Sequence, residues 1–325
     1  QVPRARCPGA RVVRAMRVAC LQFAPGHSQV GLNLARADAL LEARRGDLEG
    51  VRLLVLPEMA FSGYHWRSPG HIAPVLDESQ PATAAWCKRT ARRLGCVVCC
   101  GLARRARRSA GFRNSMIVVG PDGEVLHTYD KHFLYASDLT WAEAGDDFCS
   151  LRLPGLPLAP VGLGICMDIN PRDFEAPFEA FEFANFHLRS GSRLIVLSAG
   201  WCCNHPDDHP LAFTRKTDEQ MRVDTLNYWL RRLKPLYGSD AYFVCADRVG
   251  EEDLALIGRS EPELRNRFCG CSCVVSLRHA AVMGELGPSE EAVLVVDIPV
   301  PGAPEAGDPA PRRGARAERA GGAPP

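Results

Sequence analysis

At 325 residues and 35.5 kDa, with 46% apolar and 24% charged residues, the chain can bury a large core, which excludes intrinsic disorder over most of its length. Thirty-nine Lys and Arg against thirty-eight Asp and Glu leave a formal charge of +1. That balance excludes a global field that would hold the chain on nucleic acid or an anionic membrane, and it favours a small or local ligand.

No apolar run reaches the roughly 18–20 residues that span a bilayer. The fourteen Cys include adjacent pairs, Cys99/Cys100 and Cys202/Cys203, and no apolar signal segment precedes them, so they read as free thiols of a reducing, cytoplasmic compartment. Residues 1–15 carry Arg4, Arg6, Arg11 and Arg14 without an acid. They read as a disordered extension ahead of a start at Met16, with mitochondrial targeting left open.

From Arg17 to Phe23 the chain reads as a buried strand stopped by Pro25 and Gly26. Leu34, Ala37, Leu40 and Leu41 then recur at helical spacing between Asn33 and Arg45, and Val51 to Leu56 forms a second strand. A helix over 84–94, a strand over 96–101, and two strands (115–119 and 125–128) about the turn Gly120-Pro-Asp-Gly123 follow. The second half repeats the grammar, with strands at 161–165, 194–197, 242–246, 273–277 and 293–298 and helices at 178–188 and 222–230. Strands alternating with helices make the fold class α/β. Residues 16–300 read as one folded domain, and 301–325, rich in Pro, Gly, Ala and Arg without apolar period, as a disordered tail.

Three of these strands deliver a chemically capable residue at the carboxyl end, where α/β folds expose them. Leu53-Leu-Val-Leu-Pro ends in Glu58, Val125 to Thr128 leads to Tyr129-Asp130-Lys131, and Val161-Gly-Leu-Gly-Ile ends in Cys166. Each has a plainer reading: a helix N-terminal or surface acid, a solvated lysine, a small buried hydrophobe. Together their types suit amide hydrolysis through a thioester. A thiolate attacks the carbonyl, a carboxylate shuttles the proton, and an ammonium with a backbone N–H faces the oxyanion.

Glu58 in Leu-Pro-Glu-Met, Lys131 in Tyr-Asp-Lys-His-Phe-Leu-Tyr135 and Cys166 in Gly-Ile-Cys-Met-Asp-Ile-Asn-Pro171 resemble the Glu-Lys-Cys triad of the nitrilase, or carbon-nitrogen hydrolase, superfamily. The likeness runs from Met16 to Pro299 and includes Asp247-Arg-Val-Gly250 and Gly270-Cys-Ser272. The stretches Phe174-Glu-Ala-Pro-Phe178, Phe181-Glu-Phe-Ala184 and Ser198-Ala-Gly-Trp201, with Tyr135, Asp138 and Trp141, are similar to the fungal-type protein N-terminal amidases.

This resemblance implies a four-layer αββα sandwich, possible homodimers through the outer helices, and no metal or organic cofactor. It casts Cys166 as nucleophile, Glu58 as general base and acid, and Lys131 with the Met167 backbone N–H as oxyanion partners. The implied reaction converts an N-terminal Asn or Gln of a protein or peptide to Asp or Glu and feeds an N-degron pathway. One departure stands out: a second Glu that many relatives carry about eight residues after the Lys is absent, the neighbourhood offering Asp138 and Glu143.

A substrate's α-ammonium entering a partly desolvated pocket needs an anionic partner, for which Asp138 and Asp168 are the candidates, and Trp201 could wall the pocket. Asp168 has a structural alternative, holding its own turn. Cys202, Cys203, His205 and His209 invite a zinc reading, but Pro206 and Pro210 disfavour the required helix and no second pair completes a site. The basic run Arg104-Arg-Ala-Arg-Arg108 lacks interleaved aromatics and reads as a solvated hairpin loop rather than a nucleic-acid site. Two other functions stay open: an amidase acting on a free small amide or ureido compound, and a non-catalytic binding protein on the same fold.

Overall fold

The structure, a computed structural model, describes residues 15–78, 81–203, 216–253 and 265–300. Residues 1–14 of the expected extension, the tail from residue 301, His205 and His209 lie outside the described residues, and Ala15, assigned to the extension, opens the first strand.

The first half contributes β1 (Ala15–Gln22), α1 (Val30–Ala43), β2 (Val51–Val55), the short α2 (Pro69–Ile72), α3 (Ala82–Leu94), β3 (Val97–Arg105), β4 (Phe112–Val119) and β5 (Val125–Asp130). The second contributes β6 (Cys149–Leu151), β7 (Val161–Ile165), α4 (Glu182–Arg189), β8 (Leu194–Ala199), α5 (Asp218–Arg232), β9 (Tyr242–Asp247), β10 (Glu251–Asp253), β11 (Arg265–Arg267), β12 (Cys273–Ser276), β13 (Ala281–Glu285) and β14 (Ala292–Pro299). Two six-stranded sheets result, ordered β14-β1-β2-β3-β4-β5 and β13-β12-β9-β8-β7-β6, with β10 and β11 as a separate ribbon. In each, the parallel strands (β1, β2 and β3; β7, β8 and β9) run side by side at the centre and antiparallel strands flank them.

Strand alternation sorts the layers. Val18, Cys20, Leu53, Val55, Val97 and Cys99 of the first sheet join Val161, Leu163 and Ile165 of the second in one apolar interior. The intervening residues Ala19, Leu21, Leu54, Leu56, Val98 and Cys100 face the other way and pack with Ala37 and Leu41 of α1 and Trp86, Cys87 and Ala91 of α3. On the second sheet the even positions of β7 are Gly162 and Gly164, which lie against His187 and Phe183 of α4. The layers are therefore helices, sheet, sheet, helices.

The long elements fall where the sequence places them, with bounds shifted by a few residues. β6, β10, β11, β13 and α2 were not anticipated. Each is short, and β13 has no residue in the core, so neither length nor apolar period marked it. The basic run also differs from expectation at one end. Arg104 is the penultimate residue of β3 and binds Asp130 at 2.6 Å and Ser115 at 3.1 Å rather than standing in a solvated loop.

Candidate active site

Glu58, Lys131 and Cys166 come from three strands of two sheets. Glu58 follows β2, whose continuation is pinned to β3 by the Leu56 N–H donating to Cys99 O (2.8 Å) and the Gly101 N–H to Pro57 O (3.1 Å). Lys131 follows β5 directly, its N–H donating to Asn114 O at 2.8 Å. Cys166 follows β7 and opens a 3-10 turn, Cys166–Ile169. Its φ of 39° lies in the left-handed region, a strain of about 1–3 kcal/mol for a side chain with a Cβ that the surroundings must hold in place.

The two sheets are tied together at this point. The Glu58 N–H donates to Ala199 O (3.2 Å), the Ser198 hydroxyl to Leu56 O (2.8 Å) and the Gly200 N–H to Glu58 Oε2 (3.0 Å). Lys131 Nζ donates to Glu58 Oε1 and to Asp138 Oδ2, both at 2.6 Å, and all three side chains are sealed from solvent. Asn114 Nδ2 bridges the same carboxylates, at 2.7 Å to Glu58 Oε1 and 3.0 Å to Asp138 Oδ1.

Two carboxylates on one ammonium set the local electrostatics. Burial disfavours the charged lysine, but Asp138 and Glu58 outweigh it and hold Lys131 protonated well beyond its ordinary range. Burial raises the Glu58 pKa, Lys131 opposes the rise and the Asp138 charge adds to it. Burial, followed by the Glu58 charge, pushes the Cys166 thiol well up against the opposing pull of Lys131, so the resting sulfur is protonated and needs a base to become a nucleophile. Glu58 is the carboxylate whose charge acts most strongly on it.

Cys166 and Met167 line a cavity of about 220 Å³ together with Tyr64, Gly200, Trp201 and Tyr228. Trp201 is held by its backbone N–H donating to Asp247 Oδ1 at 2.8 Å, with its ring 5.5 Å from those of Tyr228 and Trp229.

Asp168 and Asp138, the candidate partners of a substrate cation, are both engaged by groups of the protein itself. Asp168 is fully buried, and its carboxylate accepts from the Tyr129 hydroxyl and the backbone N–H groups of Ile165, His132 and Phe133, at 2.8–3.1 Å. It staples the turn carrying Cys166 to the segment after Lys131. Asp138 is taken up by Lys131, Asn114 and the Tyr135 N–H (2.9 Å), so it positions the lysine. Glu143, the other acid near the lysine, pairs with Arg113 at 3.1 Å and with the Ser109 hydroxyl at the surface.

Sequence reasoning missed Asn114, Tyr64 and the braces formed by Tyr129 and Gly200. A polar amide at a buried strand position was the available signal for Asn114. Among the described residues, no group of three or more His, Cys, Asp or Glu side chains is arranged to hold a metal ion. No helix among them is long and apolar enough to cross a membrane.

Comparison with known proteins decides the family. The carbon-nitrogen hydrolase family model matches residues 17–173. The chain is 32% identical over 305 residues to the protein N-terminal amidase of Schizosaccharomyces pombe, covering 87% of this chain and 99% of that one. The chain belongs to the carbon-nitrogen hydrolase family. It is also 25% identical over 210 residues to the protein N-terminal amidase of Saccharomyces cerevisiae, which covers 59% of this chain and 46% of the relative. A solved N-terminal amidase with an Asn-Glu-Ala peptide superposes with a TM-score of 0.71 at 17% identity, covering 87% of this chain and 97% of the other. One with a Gln-Gly peptide gives 0.73 at 16% identity over the same shares. The nitrilase-type fold is thereby shown, and with the family comes hydrolysis of amide carbon-nitrogen bonds.

Proposed function

We propose that this carbon-nitrogen hydrolase removes the side-chain amide of an N-terminal asparagine or glutamine, releasing ammonia and leaving Asp or Glu. The observation that carries the reading is the Cys166 side chain lining a cavity, under the charges of the buried Glu58–Lys131 pair, in a chain 32% identical to a protein N-terminal amidase along nearly that relative's whole length.

Glu58 takes the thiol proton as the Cys166 sulfur bonds to the amide carbon. Lys131 and the Met167 N–H offset the charge that develops on the carbonyl oxygen, each such donor being worth about 2.7–4 kcal/mol. The carbon-nitrogen bond breaks as Glu58 returns the proton to departing ammonia. Glu58 then deprotonates water, which cleaves the thioester and restores the thiol. The new acidic N-terminus is a degradation signal of the N-degron type. The reading takes the protein as a cytoplasmic homodimer paired through outer helices.

Peptides beginning with Asn or Gln, offered free and N-acetylated, test the substrate by their ammonia release. Turnover of the free forms is expected. Equal turnover of acetylated peptides would end the claim of α-amine recognition, and preference for free small amides would favour the other amidase reading. Cys166→Ala is expected to reduce release to the uncatalysed background; undiminished release would take the nucleophile's role from Cys166.

A further inference from the structure

Behind Trp201 the cavity wall is made of sulfur. Cys203, Cys269 and Met221 all line it. The Cys269 thiol donates to Cys203 Sγ at 3.0 Å, and the Cys203 thiol donates to Met221 Sδ at 3.4 Å. The backbones bearing the two thiols are locked side by side: the Cys203 N–H donates to Arg267 O (2.9 Å), the Cys269 N–H to Trp201 O (2.8 Å), and Cys202 and Phe268 form an antiparallel bridge between them. A disulfide requires sulfurs about 2.05 Å apart, so closing this pair needs an approach of about 1 Å on a framework that already holds the cysteines adjacent. Nothing in the amidase chemistry uses either thiol.

We infer that Cys203 and Cys269 form an oxidisable dithiol in the wall of the substrate cavity, converted by a hydroperoxide to a disulfide that weakens peptide binding. Cys203 is the attacking sulfur, because it accepts the Cys269 S–H and is the more exposed of the two, at 8% against 3%. Its thiol proton leaves to solvent, a sulfur–oxygen bond forms as the peroxide O–O bond breaks, and the released alkoxide takes a proton to leave as alcohol, or as water from hydrogen peroxide. Cys269, having given up its proton, displaces hydroxide from the resulting sulfenic acid, and the hydroxide leaves as water. Two electrons pass from the sulfur pair to the peroxide.

The consequence for binding follows from what the moving segment carries. Residues 200–203 supply Gly200, Trp201, Cys202 and Cys203 to the cavity, and the Gly200 N–H braces Glu58. Drawing Cys203 onto Cys269 shifts the wall against which a peptide must pack. This effect on peptides rests on the proposed function, whereas the disulfide does not.

The test uses the full chain carrying Cys166→Ser, in which oxidation of the nucleophile cannot contribute. After hydrogen peroxide, remaining thiols are alkylated and the digest is read by mass spectrometry. A linked Cys203–Cys269 peptide pair that disappears on reduction is expected. An Asn-starting peptide is expected to bind at least about tenfold more weakly after oxidation, with recovery on reduction. Adding Cys269→Ala to this background should abolish the oxidation-dependent change, whatever its effect on affinity itself. Full alkylation of both thiols after peroxide overturns the dithiol, and unchanged peptide affinity with the bridge formed overturns its effect on the cavity. A reduced protein that binds no peptide at all counts against the proposed substrate, and the peptide map still decides the dithiol.

Discussion

Asn114 gives one amide nitrogen to two carboxylates, and that nitrogen with the Lys131 ammonium is what allows Glu58 and Asp138 to sit together in a sealed interior. The arrangement predicts a pH dependence. The acidic limb of kcat/KM reports Glu58 losing its proton in the free enzyme, and burial places that limb above the ordinary glutamate range. Asp138→Asn removes a negative charge that raises the Glu58 pKa, so the limb should move to lower pH. It also removes a charged hydrogen bond to Lys131, costing about 1.5–3 kcal/mol in denaturant unfolding. A limb that stays in place or moves to higher pH would contradict the coupling. Glu58, Lys131 and Cys166 were legible because each ends an apolar strand. Asp138 and Asp168 were legible as acids near these three residues, but the partners that engage them were not, since hydrogen bonds to remote groups leave no mark on local spacing.

Two strands carry glycines where a side chain has no room. A Cβ on Gly101 of β3 would lie 2.5 Å from Glu58 Cα and 2.6 Å from Pro57 O, backbone atoms that cannot swing aside. β3 therefore passes directly against the Glu58 backbone, and under the proposed mechanism Gly101→Ala should depress kcat strongly as well as stability by displacing Glu58. A Cβ on Gly164 of β7 would meet Phe183 Cε2 at 2.6 Å, on the face of the strand opposite the interior shared by the sheets. Gly164→Ala should cost about 1–3 kcal/mol of stability by lifting α4, with a smaller loss of kcat than Gly101→Ala. Measuring the urea midpoint and kcat of both variants checks this, and a larger kcat loss at Gly164 would reverse the assignment. The glycines of β7 were visible in the sequence as part of a strand, but the helix that needs them was not.

For the whole molecule, two buried histidines couple folding to pH. Burial lowers His187 to about 3 and His65 to about 4, against an unfolded value of about 6.5. Both are neutral when folded, so their contribution is fully present above pH 6.5. As pH falls the unfolded chain binds protons that the folded chain refuses, and each histidine removes up to about 1.4 kcal/mol per pH unit until its folded value is reached. Between pH 6.5 and 4.5 the wild-type loss of stability should therefore exceed that of His187→Gln by up to about 2–3 kcal/mol in urea unfolding. Equal losses would remove His187 from the account. His65 lies where the halves of the chain meet: its Nε2 contacts Asn266 Nδ2 at 3.1 Å, and its N–H donates to Glu252 Oε2 at 2.9 Å.

The alternation of strands and helices, the strand-end placement of acid, amine and thiol, and the likeness carried by their flanking residues were all written in the sequence, because period and punctuation act over a few neighbouring residues. The tertiary structure alone decided which acid serves which partner. Asp168 bridges segments 36 residues apart, Asn114 reaches a carboxylate 56 residues away and Gly200 braces Glu58 across 142 residues. Such contacts are satisfied by whatever the fold brings near, and one-dimensional spacing carries no term for them. The adjoining thiols of Cys203 and Cys269 belong to the same class, separated by 66 residues of chain and joined only when two backbones pair beside the cavity.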